Sequence, residues 1–470
     1  MACSVVPQMP AILINGLLSC AFSTSSLAHF NTVSKKLTSG SRISNWVEWK
    51  ATAIHQPLMM HCLYIASFDQ PPAIIVTADL GWWKNAADEK ALRFALLEHF
   101  DLDESQLIFA LSHTHAGPSI CSSDAGQPGG QLIVPYLKFL TQQAISCIET
   151  ARSTLFKGSL IWNYGVCDLA SDRDLKVDAQ YLIGYNPLKT ADTTLLVGRL
   201  HDSAENLNAV ICNYACHPTS FAHENDLISP DFVGEMRNTV ESVLAVPCLF
   251  LQGASGDLAP RRQYVKDPTI VEANGKQLGY AVLATLAQEQ HSHKNWGFRE
   301  ALISGAPLAC WEFQEQPVST NFRQTVVSVK VPYKNLPSPE AILKEYESCT
   351  DRVLKDRLWR KYNTCKSIGN KKEAIIPVWI WKMGDAVLVA QANEAYFCYQ
   401  MEVRAQFPDH TIVFINIANG YVGYLAPREL YDKDIYAVWQ SPYASGSLEI
   451  LIEQTNLGIQ TLLTDETRLD

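Results

Sequence analysis

The segment Phe109-Ala110-Leu111-Ser112-His113-Thr114-His115-Ala116-Gly117-Pro118 sets two histidines just past an apolar run. The run reads as the end of a buried β-strand, and in extended backbone residues two apart project to one face. His113 and His115 then point into one pocket, where two imidazoles suit a divalent metal, or one ligand beside one proton carrier. The pair equally suits a polar turn, so other parts of the chain must supply partners. A strand expected over 209–215 ends in Cys216-His217-Pro218-Thr219-Ser220, a second histidine fixed by a proline. A strand over 247–252 runs into Gly253-Ala254-Ser255-Gly256-Asp257, where small residues let backbone N–H groups approach a ligand. Asn393-Glu394 follows a strand over 386–390 and is expected to open a helix over 395–405, where the carboxylate equally suits a plain dipole partner. A strand over 411–417 ends in Asn419-Gly420-Tyr421-Val422-Gly423-Tyr424. Five strand ends thus carry residues of site type, and α/β proteins bind ligands beyond the carboxyl ends of their strands. Zinc fits such nitrogen and oxygen donors, with one position left for water.

The elements that must hold these residues alternate. A strand over 73–80, an amphipathic helix over 86–100 and a strand over 106–111 make a βαβ unit and argue for parallel pairing. Asn85 is the expected N-cap, with Ala91, Phe94, Leu97 and Phe100 on the buried face. A first strand is expected over 17–23 and another over 59–68. Residues 24–50 are polar and turn-rich, and the glycines of 122–130 suit either a pocket wall or a plain connector. Helices are expected over 135–155, 231–244, 269–288 and 339–362, and strands over 159–166, 301–314, 325–331 and 376–382. Residues 290–296 are the expected linker. Arg173, between Asp172 and Asp174, could belong to a solvated, self-paired loop.

At 470 residues, 47% hydrophobic and 18% charged, the chain can bury a large core and is not disordered. A formal charge of −10 without a basic run argues against nucleic acid as a partner. Thirteen cysteines with no Cys-x-x-Cys pair read as reduced, mostly buried thiols. No stretch of eighteen uninterrupted apolar residues predicts a transmembrane helix. Leu17-Leu18-Ser19-Cys20 is similar to a lipoprotein cleavage site, but no Lys or Arg precedes it. A cytoplasmic protein is therefore expected, over a secreted or lipid-anchored one.

With these motifs in order, the chain resembles the neutral, non-lysosomal ceramidase family, zinc amidases that split the N-acyl bond of ceramide. The similarity runs from about residue 50 to 445, extending to residue 13. It implies an α/β (mixed α+β) layered catalytic domain with the site at strand C-terminal ends. A single large domain over 1–470 is expected, divisible at most into 13–290 and 297–470. The resemblance assigns zinc to His113, His217, Glu394 and Tyr424, and proton transfer to His115. It also brings Arg173 and Tyr436 to the reacting carbonyl.

Two departures stand out. The family's Gly-Asp-x-Ser-Pro-Asn segment carries a serine assigned as nucleophile. Here it reads Gly256-Asp257-Leu258-Ala259-Pro260-Arg261, and alanine has no oxygen for covalent acyl transfer. The family also continues into a C-terminal immunoglobulin-like domain, which is not expected here. Arg261 and Arg262 could accept an anionic group or form a surface charge pair. Asp257 could orient His115 or a substrate amine. The expected function is zinc-dependent hydrolysis of a linear amide by zinc-bound water, on an N-acyl or other small-molecule substrate. The rivals are a repurposed enzyme that forms or rearranges an amide or ring in a small soluble metabolite, and a non-catalytic zinc-binding relic. The sequence does not give the oligomeric state.

Overall fold

The computed structural model describes residues 13–15, 18–21, 51–66, 70–126, 130–221, 225–288, 294–315, 319 and 321–464. The turn-rich segment 24–50, most of the expected linker and part of the glycine-rich loop lie outside them.

Two sheets form the centre. The first uses β1 (Leu13–Asn15), β2 (Leu18–Ala21), β3 (Met59–Ala66), β4 (Ala73–Ala78), β5 (Leu107–Leu111), β6 (Leu155–Val166), β7 (Thr194–Asp202), β8 (Leu207–Tyr214) and β9 (Cys248–Gln252). Their order is β9-β8-β7-β6-β1-β3-β4-β5, with β2 also pairing with β3. A separate hairpin follows, β10 (Lys294–Ser304) and β11 (Ala306–Glu315). The second sheet runs β12 (Phe322–Pro332), β13 (Glu373–Met383), β14 (Ala386–Ala390) and β15 (Thr411–Ile415) in that order. Only three pairs in the two sheets are parallel among the described residues: β4–β5, β8–β9 and β14–β15.

The sheets pack face to face because their strands are apolar on both sides. Ile75, Ile108, Ala110, Leu249 and Leu251 meet Trp379, Trp381, Leu388, Val413 and Ile415 between them. Alternate residues face outward onto helices. Ile74, Val76, Leu107 and Phe109 pack on α1 (Ala86–Phe100) and α2 (Ile133–Ser153). Val197, Val210 and Phe250 pack on α3 (Phe232–Leu244) and α4 (Pro268–Leu286). Val329, Val378, Val389 and Phe414 pack on the last helix, Ser447–Thr464, and on Cys398–Gln406. The result is a four-layer α/β/β/α arrangement, the mixed α/β class expected from the sequence.

Several local expectations need correction. In α1, Asn85 does cap the helix, its side chain accepting the Ala87 N–H at 2.9 Å. The buried face, however, is Glu89, Leu92, Arg93, Leu96 and Leu97, while Phe94 is 61% exposed. Arg93 pairs with Glu89 at 2.7 Å and with Glu104 at 3.0 Å, so two charged residues occupy positions an apolar pattern skips. The expected strand 301–314 is broken by Gly305 (φ 71°), which turns the chain into the hairpin. The expected helix 339–362 is two helices, Pro339–Ser348 and Arg352–Ile368, because Asp351 caps the second by accepting the Leu354 N–H at 2.7 Å. The eleven cysteines from Cys62 to Cys398 are unbridged, and most are buried. No described helix is long and apolar enough to cross a membrane.

The frame beside the site depends on a buried ion pair. Arg237 of α3 donates to both Asp79 carboxylate oxygens at 3.0 and 3.1 Å, and Asp79 also accepts the Met59 N–H at 2.9 Å. Removing one partner strands the other charge in the core. Asp79→Ala is expected to cost about 3–5 kcal/mol, read as a lower unfolding midpoint in urea and on heating. An unchanged midpoint would show that the pair is not needed to hold α3 to the sheet.

Candidate metal centre

The six ends that carry the site belong to the three parallel pairs. Parallel neighbours place their carboxyl ends side by side, and the stacked sheets bring the three pairs' ends together. The joint between the sheets is polar and specific. Asn419 accepts the Phe109 N–H at 2.8 Å and donates to the Leu107 carbonyl at 2.8 Å. Asn213 donates to Leu251 and Phe414 carbonyls at 2.9 and 2.7 Å, one from each sheet.

His113 leaves β5 with φ 69°, a left-handed conformation unusual for a non-glycine residue. The extended backbone expected through the His-x-His segment is therefore absent, and a turn, not strand alternation, aims the rings. His113 Nδ1 donates to the Gly81 carbonyl at 3.1 Å, and its Nε2 lies 3.3 Å from Glu394 Oε2. His217, beyond β8, has Nδ1 held by the Ser255 and Leu258 carbonyls at 2.6 and 3.2 Å. Its Nε2 lies 2.6 Å from the same Glu394 oxygen. His115 Nε2 is 3.4 Å from His113 Nε2.

Glu394 does not open a helix, contrary to expectation. Residues Glu394–Ala395 form a short strand parallel to Tyr424–Leu425, in which Glu394 is the register partner of Tyr424. Helix Cys398–Gln406 starts four residues later, so the dipole reading of Glu394 fails. Tyr421 donates to Glu394 Oε1 at 2.8 Å. Arg173 donates to Tyr424 Oη at 3.0 Å and to the Gly256 carbonyl at 2.8 Å. Gly256 must be glycine here, because a Cβ would fall 2.7 Å from the Glu394 carbonyl oxygen.

This donor set fits a cation. Backbone carbonyls accept only, so each Nδ1 they hold carries the hydrogen. In the neutral rings, both Nε2 atoms present lone pairs to a carboxylate oxygen, which is also an acceptor. Three acceptors facing one another in a buried site require a proton or a metal between them. Tetrahedral ligands with bonds of about 2.0–2.1 Å stand roughly 3.3 Å apart, which the His113–Glu394 pair matches, whereas the 2.6 Å His217–Glu394 distance is that of a hydrogen bond and must lengthen if a metal joins the two. Carbonyls fixing the far nitrogen are the usual orienting partners of metal-binding imidazoles. His113, His115 and His217 form a cluster that can hold a metal ion, their nearest nitrogens all within 4.8 Å.

Burial and then the Arg173 charge push His217 down to about 4, against the pull of Glu394. Burial raises Glu394, but His113 and His217 outweigh it and hold the carboxyl well below its usual range. Burial, followed by Glu394, raises the Tyr424 hydroxyl well above 10. His115 differs from the other two histidines in being open to solvent, although protein encloses it. Burial, then His113 and His217, lower its affinity for a proton.

The remaining sequence candidates divide. The Tyr436 ring lies 5.9 Å from that of Tyr424, at the start of a short helix, Tyr436–Gln440. Arg173 is buried, so the self-paired surface loop is excluded. Asp257, expected to orient His115 or a substrate amine, accepts the Phe397 N–H at 2.9 Å. Arg261 is exposed, 3.6 Å from Asp168 and over the Tyr185 ring, and Arg262 is also exposed. Neither arginine is in hydrogen-bonding contact with the cluster. Ala259 is buried in the strand Leu258–Pro260, its carbonyl accepting the Ser171 hydroxyl at 2.9 Å.

Three further residues enter that the sequence reading passed over. Trp82 lies tilted against His115 and edge-on to His113, with ring centroids 5.0 and 5.6 Å away. Tyr421 donates to Glu394, and Tyr264 lies near enough to Arg173 to feel its charge. Gly81-Trp82-Trp83 follows the end of β4, a sixth strand end with the same signal as the other five.

The fold matches solved ceramidase structures. A neutral ceramidase from Pseudomonas aeruginosa superposes with a TM-score of 0.63 at 16% identity, over 95% of this chain and 73% of that one. A ceramidase complexed with C2 gives 0.65 at 16% identity, over 97% and 76%. No family model and no curated protein matches by sequence.

Purified protein is expected to carry about one divalent metal ion per chain, and His113→Ala and His217→Ala each to lose it, read by elemental analysis. His115→Ala should keep the metal if Glu394 and Tyr424 complete the set. Loss of metal in His115→Ala would make the third histidine a ligand.

Proposed function

We propose that the chain is a zinc-dependent hydrolase of linear N-acyl amide bonds, similar in activity to the ceramidases it resembles in fold. The observation that carries the reading is the convergence of His113, His217 and Glu394 lone pairs, with Arg173 and Tyr436 beside them. His113, His217, Glu394 and Tyr424 would hold the ion. When bound, it supplies Lewis acidity and acidifies water at the site.

The protein's own groups account for the rest. Ala259 offers only a methyl, so the attacking oxygen comes from water and no acyl-enzyme forms at that position. Arg173 is already committed to the Tyr424 hydroxyl. Its fixed charge lies where negative charge would develop on the carbonyl oxygen, and the Tyr436 hydroxyl can donate to the same oxygen. His115, neutral and open to solvent, can take the proton of the attacking water. It then returns that proton to the leaving amine nitrogen, so the C–N bond breaks without forming a free amide anion. Trp82 packs against His115 and limits the ring's orientations.

The buried alanine also favours a second reading, an enzyme of the same fold repurposed to form or rearrange an amide. Incubation with N-acylsphingosines and N-acyl amino acids, followed by mass spectrometry, separates the two. The proposal expects free fatty acid, with Tyr436→Phe lowering kcat about 10²–10³-fold and His115→Ala about 10²–10⁴-fold. Ala259→Ser should not be needed for turnover. Turnover seen only in Ala259→Ser would mean that the natural chain does not run this reaction.

A further inference from the structure

The hairpin β10–β11 has no role in the site. Each strand packs on the other and on no further element to a comparable extent. An isolated two-stranded ribbon is marginal in water, and this one carries its apolar residues outward. Ile303 is 77% exposed, and Leu302, Leu308, Trp296, Phe298 and Trp311 are each about half exposed.

The residue types are graded along the ribbon. From Ala301 through Gly305 to Cys310 there is no charged residue. Next come the aromatic pairs, Phe298 opposite Trp311 and Trp296 opposite Phe313. Among them Arg299 pairs with Glu300 at 2.7 Å and Glu312 at 3.8 Å, and Lys294 pairs with Glu315 at the base at 3.8 Å. Leu302 faces Leu308, and Ile303 faces Pro307, in consecutive cross-strand pairs. Consecutive pairs project to opposite faces, so the tip is apolar on both sides. A protein groove covering one face would leave the other in water, whereas acyl chains surround both.

We propose that this hairpin tip docks the protein on a lipid surface, with the acyl boundary of a zwitterionic leaflet as its occupant. The open ribbon edges set the depth, because unpaired backbone groups are not tolerated in dry hydrocarbon. Insertion stops at about 5–10 Å, the headgroup–acyl boundary. At that depth Leu302, Ile303, Pro307 and Leu308, all within about 10 Å of the Gly305 turn, reach the boundary. The net charge of −10 disfavours anionic lipid, so neutral headgroups are the better partner. This inference does not depend on the amide reading, and its test measures no activity.

The test is flotation of the full chain with phosphatidylcholine vesicles, for the wild type and for the Leu302→Asp, Ile303→Asp double variant. The wild type should float. The variant should partition about 100-fold more weakly while its melting temperature and its metal content stay unchanged. Leu308→Ala, a milder change, should fall between them. Wild type left in the dense fraction, or a double variant floating equally well, overturns the proposal. So does sedimentation showing a wild-type dimer that the double variant dissociates, since a second copy would then be the occupant.

Discussion

Three electron-pair donors are held in a buried space facing one another, with backbone carbonyls at their backs. Gly81, Ser255 and Leu258 carbonyls fix which nitrogen of His113 and His217 carries hydrogen, and so fix which lone pairs turn toward Glu394. Such an arrangement is unfavourable by itself, since it buries a carboxylate and sets acceptors against acceptors. It persists only when something positive joins them. The neighbouring groups fix the rest of the site: Tyr421 donates to the second Glu394 oxygen, and Arg173 donates to the Tyr424 hydroxyl.

The fold meets the geometric requirement through its parallel pairs. The sheets are largely antiparallel, yet each contributes parallel neighbours where the site lies. Their carboxyl ends, set side by side and stacked across the apolar layer between the sheets, deliver six loops to one place. Asn419 and Asn213 pin the joint with backbone-directed hydrogen bonds. The strain in His113, left-handed at φ 69°, is the local cost of turning an imidazole back toward the other loops.

Much of this was legible in the residues themselves, because apolar runs of five to eight residues ending in His, Glu, Gly or Tyr announce buried strands with functional ends. The α/β class, the β4–α1–β5 unit and the positions of the site strands follow from that pattern. What the pattern could not carry was anything decided by a partner distant in sequence. The buried face of α1 shifted because Glu89 and Arg93 neutralise each other. The hairpin was hidden because a one-glycine turn interrupts neither apolar content nor β propensity. Glu394 looked like a helix start because the two-residue strand that holds it exists only opposite Tyr424. Arg173 looked like a surface residue among acids, and Trp82 drew no reading at all, because both roles are set by loops more than a hundred residues away or by a neighbouring strand end.

Ala259 and the facing donors together define the proposal: groups placed where they could polarise and protonate, with a methyl at the position where the resemblance expects a nucleophile. That account stands on a metal ion joining His113, His217 and Glu394. Crystals of the purified protein measured on both sides of the zinc absorption edge test it most directly. The account predicts a single strong anomalous peak about 2.0–2.2 Å from His113 Nε2, His217 Nε2 and a Glu394 oxygen. Density showing His217 and Glu394 in direct hydrogen-bond contact, with no anomalous scatterer between the three side chains, would contradict it.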